Sequence, residues 1–148
     1  MLGIECFSFS EADHRLRLPV SELIQTELYR GSGLDLEDFS RNICETEDLQ
    51  TLALINNGLV IATASARTDT LSLPVVMLRN VAVSERFQGR GYGKAIMNAL
   101  EQFIADDVNF SGSQVAKVVP TDKKIGFYRN LGYEYISPDS DFMAKVIS

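Results

Sequence analysis

The stretch from Val75 to Ala105 constrains the fold more than any other part of the chain. A β-branched, apolar run covers Val75–Val83, a polar loop opens at Ser84-Glu85-Arg86, and glycines alternate at 89, 91 and 93. A helical pattern follows at once, from about Gly91 to Ala105, with Ala95, Ile96, Ala99, Leu100, Phe103 and Ile104 on one stripe. Strand, glycine loop and helix start are thus contiguous. Glycines let a backbone adopt positive φ and approach a ligand closely. The unpaired N–H groups of a helix start, with the helix dipole, then make an anion site. Arg79, Arg86, Arg90 and Lys94 face only Glu85 in this segment, a local charge of +3 in a chain of formal charge −6. Such a basic island at a helix N-terminus suits a pyrophosphate.

The flanking sequence fits one domain around this unit. With 148 residues, 45% apolar and 23% charged, the chain resembles an average globular domain, with no repeat or linker tract. Ile4–Ser10 reads as a first strand, Pro19–Tyr29 as a helix stopped by Gly31-Ser32-Gly33, and Leu36–Cys44 as a second helix. Thr51–Ile55 and Leu59–Arg67 flank Asn56-Asn57-Gly58, whose Asn-Gly suits a tight hairpin. After the long helix come a strand at Ser113–Val119, a helix at Asp122–Leu131, and closing strands at Tyr133–Ile136 and Phe142–Val146. The expected class is α+β: a mixed, mostly antiparallel sheet of about seven strands with about four helices, spanning residues 1–148 as a single domain.

Several functions are disfavoured. Cys6 and Cys44 lack ligand spacing and read as reduced thiols in or near the core. With one histidine, His14, neither a metal site nor a Ser-His-Asp triad is expected. An acidic chain without a basic face should not bind nucleic acid, and no apolar run is long enough for a membrane helix. No signal peptide is read at the N-terminus, so a cytoplasmic location is expected. The nucleotide P-loop GxxxxGK[ST] fails because Ala95 follows Gly93-Lys94 and Gln88 stands where the first glycine belongs. The dinucleotide GxGxxG fails because Lys94 occupies its third glycine position. A nucleotide phosphotransferase is accordingly disfavoured.

The loop does resemble motif A of the GNAT N-acetyltransferase superfamily, Q/R-x-x-G-x-G/A, at Gln88, Gly91 and Gly93, preceded by the strand Val81-Ala82-Val83. A second block, Ile125-Gly126-Phe127-Tyr128-Arg129-Asn130-Leu131-Gly132-Tyr133, is similar to the family's later FYxxxGF/Y helix. The resemblance covers about residues 51–136. It implies an acyl-CoA-dependent N-acyltransferase with acetyl-CoA as cosubstrate, lying in a splay between the Val75–Val83 and Ser113–Val119 strands. The implied cofactor contacts are Val81, Ala82 and Val83 on the strand, and Gln88, Gly89, Arg90, Gly91, Tyr92, Gly93 and Lys94 around the pyrophosphate. The implied catalytic groups are the Val81 N–H, polarising the thioester carbonyl, and Tyr128, protonating the departing thiolate. Phe127 reads as a core aromatic.

The same resemblance exposes departures. Family members often place a carboxylate on the central strand, where this chain has Met77, so the base is unassigned; a water relay to Glu27 or Glu5 is one option. Lys124 replaces a small residue of the family pattern. The absent carboxylate keeps open a non-catalytic acyl-CoA sensor or interaction module. The acceptor could be a small-molecule or peptide amine, and a homodimer is allowed. Residues 1–50 hold 11 acids against 4 arginines. Asp35, Glu37, Asp38, Glu45, Glu47 and Asp48 in particular could form a negative rim that attracts a cationic acceptor, or be no more than a solvated surface.

Overall fold

Seven strands form one sheet in the order β1-β2-β3-β4-β5-β7-β6. A computed structural model describes residues 2–9, 15–46, 49–68, 75–107, 110 and 115–147. The elements are β1 (Leu2–Ser8), α1 (Arg17–Leu28), α2 (Leu36–Thr46), β2 (Gln50–Asn56), β3 (Leu59–Thr68), β4 (Val75–Val83), α3 (Tyr92–Asp106), β5 (Val115–Val118), α4 (Ile125–Asn130), β6 (Glu134–Tyr135) and β7 (Met143–Val146). β4 and β5 are parallel and every other neighbouring pair is antiparallel. The expected α+β class is therefore the observed one.

The hairpin between β2 and β3 turns on Asn57 (φ 52°) and Gly58 (φ 80°). Both central residues have positive φ, the geometry that matches the twist of the flanking strands and favours Asn-Gly. α1 begins before the expected Pro19, which sits in its first turn, where a missing N–H leaves no bond unmade. The expected Asp122–Leu131 helix is instead a 3₁₀ turn at Asp122–Lys124 followed by the short α4. Gly132, at φ 98°, ends it, and its N–H donates to the Arg129 carbonyl at 3.0 Å.

Each face of the sheet carries a core. α3 and α4 cover one, with Ile96, Met97, Leu100 and Ile104 buried against Val76, Leu78, Ala116 and Met143. α1 and α2 cover the other through Val20, Leu23, Ile24 and Phe39. The α3 stripe is rotated from the expected one: Met97 is buried and Ala95 exposed. Cys6 is likewise exposed, on edge strand β1, rather than in the core. The Cys44 side chain, His14 and residues 113–114 of the expected fifth strand lie outside the described residues. Among the described residues no helix is long and apolar enough to cross a membrane.

One irregularity in β4 positions the site. Thr63 pairs with Ala82 and Ser65 with Arg79, so Asn80 and Val81 together oppose the single residue Ala64. The bulge is fixed by Asn80 at φ 54°, a left-handed conformation that asparagine tolerates better than most residues. It reverses which side chains face which helices. Val76 and Leu78 join the core under α3, and beyond the bulge Val81 and Val83 pack against that same core. Ala82 joins the core under α1 and α2.

Candidate active site

β4 and β5 pair only from Val75 to Met77 and from Val115 to Lys117. The two strands separate beyond that point, and the bulge leaves Val81 without a register partner on β3 as well. Two cavities open around this gap. A cleft of about 970 Å³ is lined by the end of α1 (Glu27, Leu28, Tyr29), by Arg67 of β3, by Met77–Val81 of β4, by Val118–Lys124, and by Tyr128 and Phe142. A smaller groove of about 260 Å³ is lined by Val81–Val83, Phe87–Gly89, Gly91–Lys94, Lys124, Phe127 and Tyr128. Val81, Lys124 and Tyr128 line both.

The glycines of the loop differ in purpose. Gly89 (φ 78°) and Gly91 (φ 86°) face open space, so backbone conformation is what their positions require. Gly91 is the N-cap of α3 and supplies no side-chain cap to the first N–H groups. No acid lies in that first turn, and the groove reaches it. These donors can take an anion from the groove side. Gly93 is not left-handed. A Cβ there would meet Phe127 Cε1 at 3.0 Å and Cζ at 3.2 Å, so Gly93 permits α3 to pack on α4.

Gln88 shapes the loop from within. Its side-chain amide donates to the Val83 carbonyl at 2.9 Å and to Glu27 Oε1 at 3.3 Å, and its backbone N–H donates to the Glu85 carbonyl at 3.4 Å. Its side-chain and backbone donors thus have acceptors within the protein, while the residue itself lines the groove. Arg86 and Arg90 both stack on the Phe87 ring at 5.6 Å, and Tyr92 meets that ring edge-on at 6.2 Å. These contacts tie both guanidinium groups to Phe87, which lines the groove.

Tyr128 is 5% exposed. Burial raises the pKa of its phenol above the ordinary 10 and is the sole cause of the shift. Among the described residues nothing hydrogen-bonds the hydroxyl. Tyr133 provides a contrast. Its hydroxyl donates to Glu101 at 2.9 Å, and Lys145 reaches the other oxygen of that carboxylate at 2.7 Å. Burial first, then the Glu101 charge and hydrogen bond, hold the Tyr133 phenol protonated.

Among the described residues the carboxylates lining the cleft are Glu27 and Asp122. Glu27, one of the two relay candidates, accepts from Gln88 and from the Glu85 N–H at 3.3 Å. Glu5, the other, lies on β1 at the far edge of the sheet, pairs with Arg15, and does not line the cleft. The described acids of the negative rim do not line the cleft either. Asp35 accepts from the Asp38 N–H at 2.9 Å as a cap of α2, Glu37 pairs with Arg17 at 4.0 Å, and Asp38 with Arg41 at 3.1 Å. The side chain of Glu45, with Glu47 and Asp48, lies outside the described residues. Among the described residues four bases line the cleft instead: Arg67, Arg79, Lys123 and Lys124. Lys124 carried a signal, since it replaced a small residue of a recognisable pattern. Arg67 carried none, and Arg79, counted with the basic island of the glycine loop, lines the cleft and not the groove.

A model of the GNAT acetyltransferase family matches residues 18–133, and the chain belongs to that family. Its members use acetyl-CoA as acyl donor, and an uncapped helix start beside a gap between parallel strands fits that group. Among solved structures, Escherichia coli ElaA is 16% identical with a TM-score of 0.76, over 98% of this chain and 99% of that one. The E. coli ribosomal-protein-S18-alanine N-acetyltransferase is 21% identical with a TM-score of 0.67, over 100% and 95%. The catalytic domain of the Tetrahymena GCN5 histone acetyltransferase, in complex with coenzyme A, is 15% identical with a TM-score of 0.73, over 100% and 94%. No curated protein is similar enough in sequence to count as a match.

Proposed function

We propose that this chain, acting as one domain, transfers an acetyl group from acetyl-CoA to an amine by direct attack on the thioester. The carrying observation is that Val81 and Tyr128 line both cavities. A donor entering along the loop and an acceptor entering through the cleft meet beside these two residues. The pyrophosphate rests on the N–H groups from Gly89 to Lys94, with Arg90 and Lys94 adding charge. The pantetheine arm lies along Val81–Val83, as an added strand would.

The amine must lose a proton before it attacks. For a lysine-like amine this costs about 4.6 kcal/mol at pH 7. Glu27 receives that proton, directly or through water. Met77 places no carboxylate on the central strand, and Glu27 is the surviving relay candidate. The amine lone pair attacks the carbonyl carbon, and the N–H of Val81 takes the developing oxyanion; losing one such donor costs about 10²–10³ in rate in other enzymes. Collapse expels the thiolate toward Tyr128. A phenol raised above 10 is a weaker acid than a thiol of pKa near ~8.5, so full transfer to sulfur runs uphill. Tyr128 therefore stabilises the thiolate by donating a hydrogen bond; the attacking nitrogen gives its second proton to water, and the thiolate takes a proton from water as CoA leaves.

Thiol release over many turnovers, measured with acetyl-CoA and a panel of amines, tests the proposal. Release well beyond one equivalent with at least one amine is expected. Tight CoA binding without turnover on any amine would favour the acyl-CoA-binding module, which the missing strand carboxylate keeps in view.

A further inference from the structure

We infer that the acceptor amine carries an oxyanion, a carboxylate or a phosphate, which Arg67 grips on the β3–β4 floor of the cleft. The inference rests on the acyltransferase reading above and adds the class of acceptor. Arg67 pairs in register with Met77, at the end of the sheet where the cleft opens. Arg79 pairs with Ser65, which stands two residues before Arg67. Side chains two apart on a strand share a face, so the two guanidinium groups project into the cleft as diagonal neighbours.

The Nε of Arg67 is buried and has no hydrogen-bond partner among the described residues. A buried donor without an acceptor is costly, and such an atom in a native fold calls for an absent partner. Among the described residues the protein's own acids do not supply one. Glu27 is held by Gln88 and the Glu85 N–H, and no ion pair joins Arg67 to Asp122 or to another described residue. The planar fork of arginine matches the two oxygens of a carboxylate or phosphate.

Charge points the same way. Among the described residues the cleft sets Arg67, Arg79, Lys123 and Lys124 against Glu27 and Asp122, although the whole chain is acidic. A cationic polyamine would enter against that balance, whereas a zwitterionic amine presents its anion to the bases and its ammonium to Glu27. The donor's own phosphates are not the missing partner, because Arg67 lines the cleft and is absent from the groove that reaches the glycine loop.

The test compares kcat/KM for matched acceptors: glycine, β-alanine and 4-aminobutyrate against their amides, and 3-aminopropyl phosphate against 3-aminopropanol. The native protein should prefer one anionic acceptor over its neutral match by roughly 10- to 150-fold, the range of a hydrogen bond to a charged group. That preference should fall to about threefold or less in Arg67→Gln and be partly kept in Arg67→Lys, which is also read if the glutamine variant fails to fold. Which pair shows it separates carboxylate from phosphate. Equal turnover of anionic and neutral amines, or a preference untouched by Arg67→Gln, overturns the inference and leaves the acyltransferase intact. So does a loss of CoA affinity in Arg67→Gln by calorimetry, which would assign Arg67 to the donor. A second arm needs no turnover: glutarate or inorganic phosphate should raise the melting temperature of the native protein but not of Arg67→Gln. If no amine is acetylated, the acyltransferase proposal fails, and this arm alone decides the anion site, absence of a shift overturning it.

Discussion

Replacing Tyr128 with phenylalanine separates two roles for its hydroxyl. A positioned general acid contributes about 10²–10⁴-fold. The buried phenol, its pKa raised by desolvation, is a poor proton donor and a good hydrogen-bond donor. A hydrogen bond to a charged group is worth about 1.5–3 kcal/mol, so Tyr128→Phe should lower kcat by roughly 10- to 150-fold. Stability should barely change, since no described residue bonds the hydroxyl and the ring contacts to Phe127 at 5.0 Å and Tyr133 at 5.7 Å remain. Tyr133→Phe is the matched control. It removes the bond to Glu101 from a fully buried residue, so it should cost about 1.5–3 kcal/mol and roughly 3–10 °C in melting temperature, with kcat close to native. Single-turnover kinetics with saturating acetyl-CoA, beside thermal melts, measure both. A Tyr128→Phe kcat within threefold of native would give thiolate stabilisation to water. A loss beyond about 10³ would show full proton transfer and refute the argument from burial.

Gly93→Ala should destabilise the protein by about 1–3 kcal/mol, since the new methyl meets the Phe127 ring at 3.0 Å; an unchanged melting temperature would refute the packing role. Gly91→Asp should raise the Kd for CoA at least about tenfold over Gly91→Asn, which keeps the strain at φ 86° without the charge; equal calorimetric affinities would remove the pyrophosphate from this loop. Glu27→Gln should lower kcat/KM at pH 7, and the deficit should shrink as pH approaches the acceptor's own pKa and the neutral amine becomes abundant; a deficit constant with pH would leave Glu27 a structural tie to Gln88.

Local chemistry in the sequence carried much of the fold. Asn57-Gly58 specified its hairpin because few other pairs accept two consecutive positive φ values. The glycine loop and α3 were legible for the same reason, although three look-alike glycines divide into two conformational positions and one packing position. What remained hidden depends on long-range register. The bulge at Asn80 has no local signature beyond one asparagine, yet it sets which face Val81, Ala82 and Val83 take. Arg67 and Arg79 are separated by a strand connection and read as unrelated charges until β3 and β4 pair. The acids of residues 35–38 suggested a substrate rim because composition cannot distinguish a helix cap from a cleft wall.

The bulge also has a consequence for how such a protein can change over generations. It splits β4 into two segments in opposite phase, one offering Met77 and Arg79 to the cleft and the other offering Val81 and Val83 to the groove. On the proposed function, substitutions at 77 and 79 would retune which molecule is modified while the segment assigned to the donor keeps its alignment. An insertion or deletion near Asn80 has no such freedom, because one residue of slippage would exchange the faces of everything that follows on the strand. Variation among descendants of this sequence should accordingly consist of side-chain replacements before Asn80 and conserved spacing from Asn80 to Gly93.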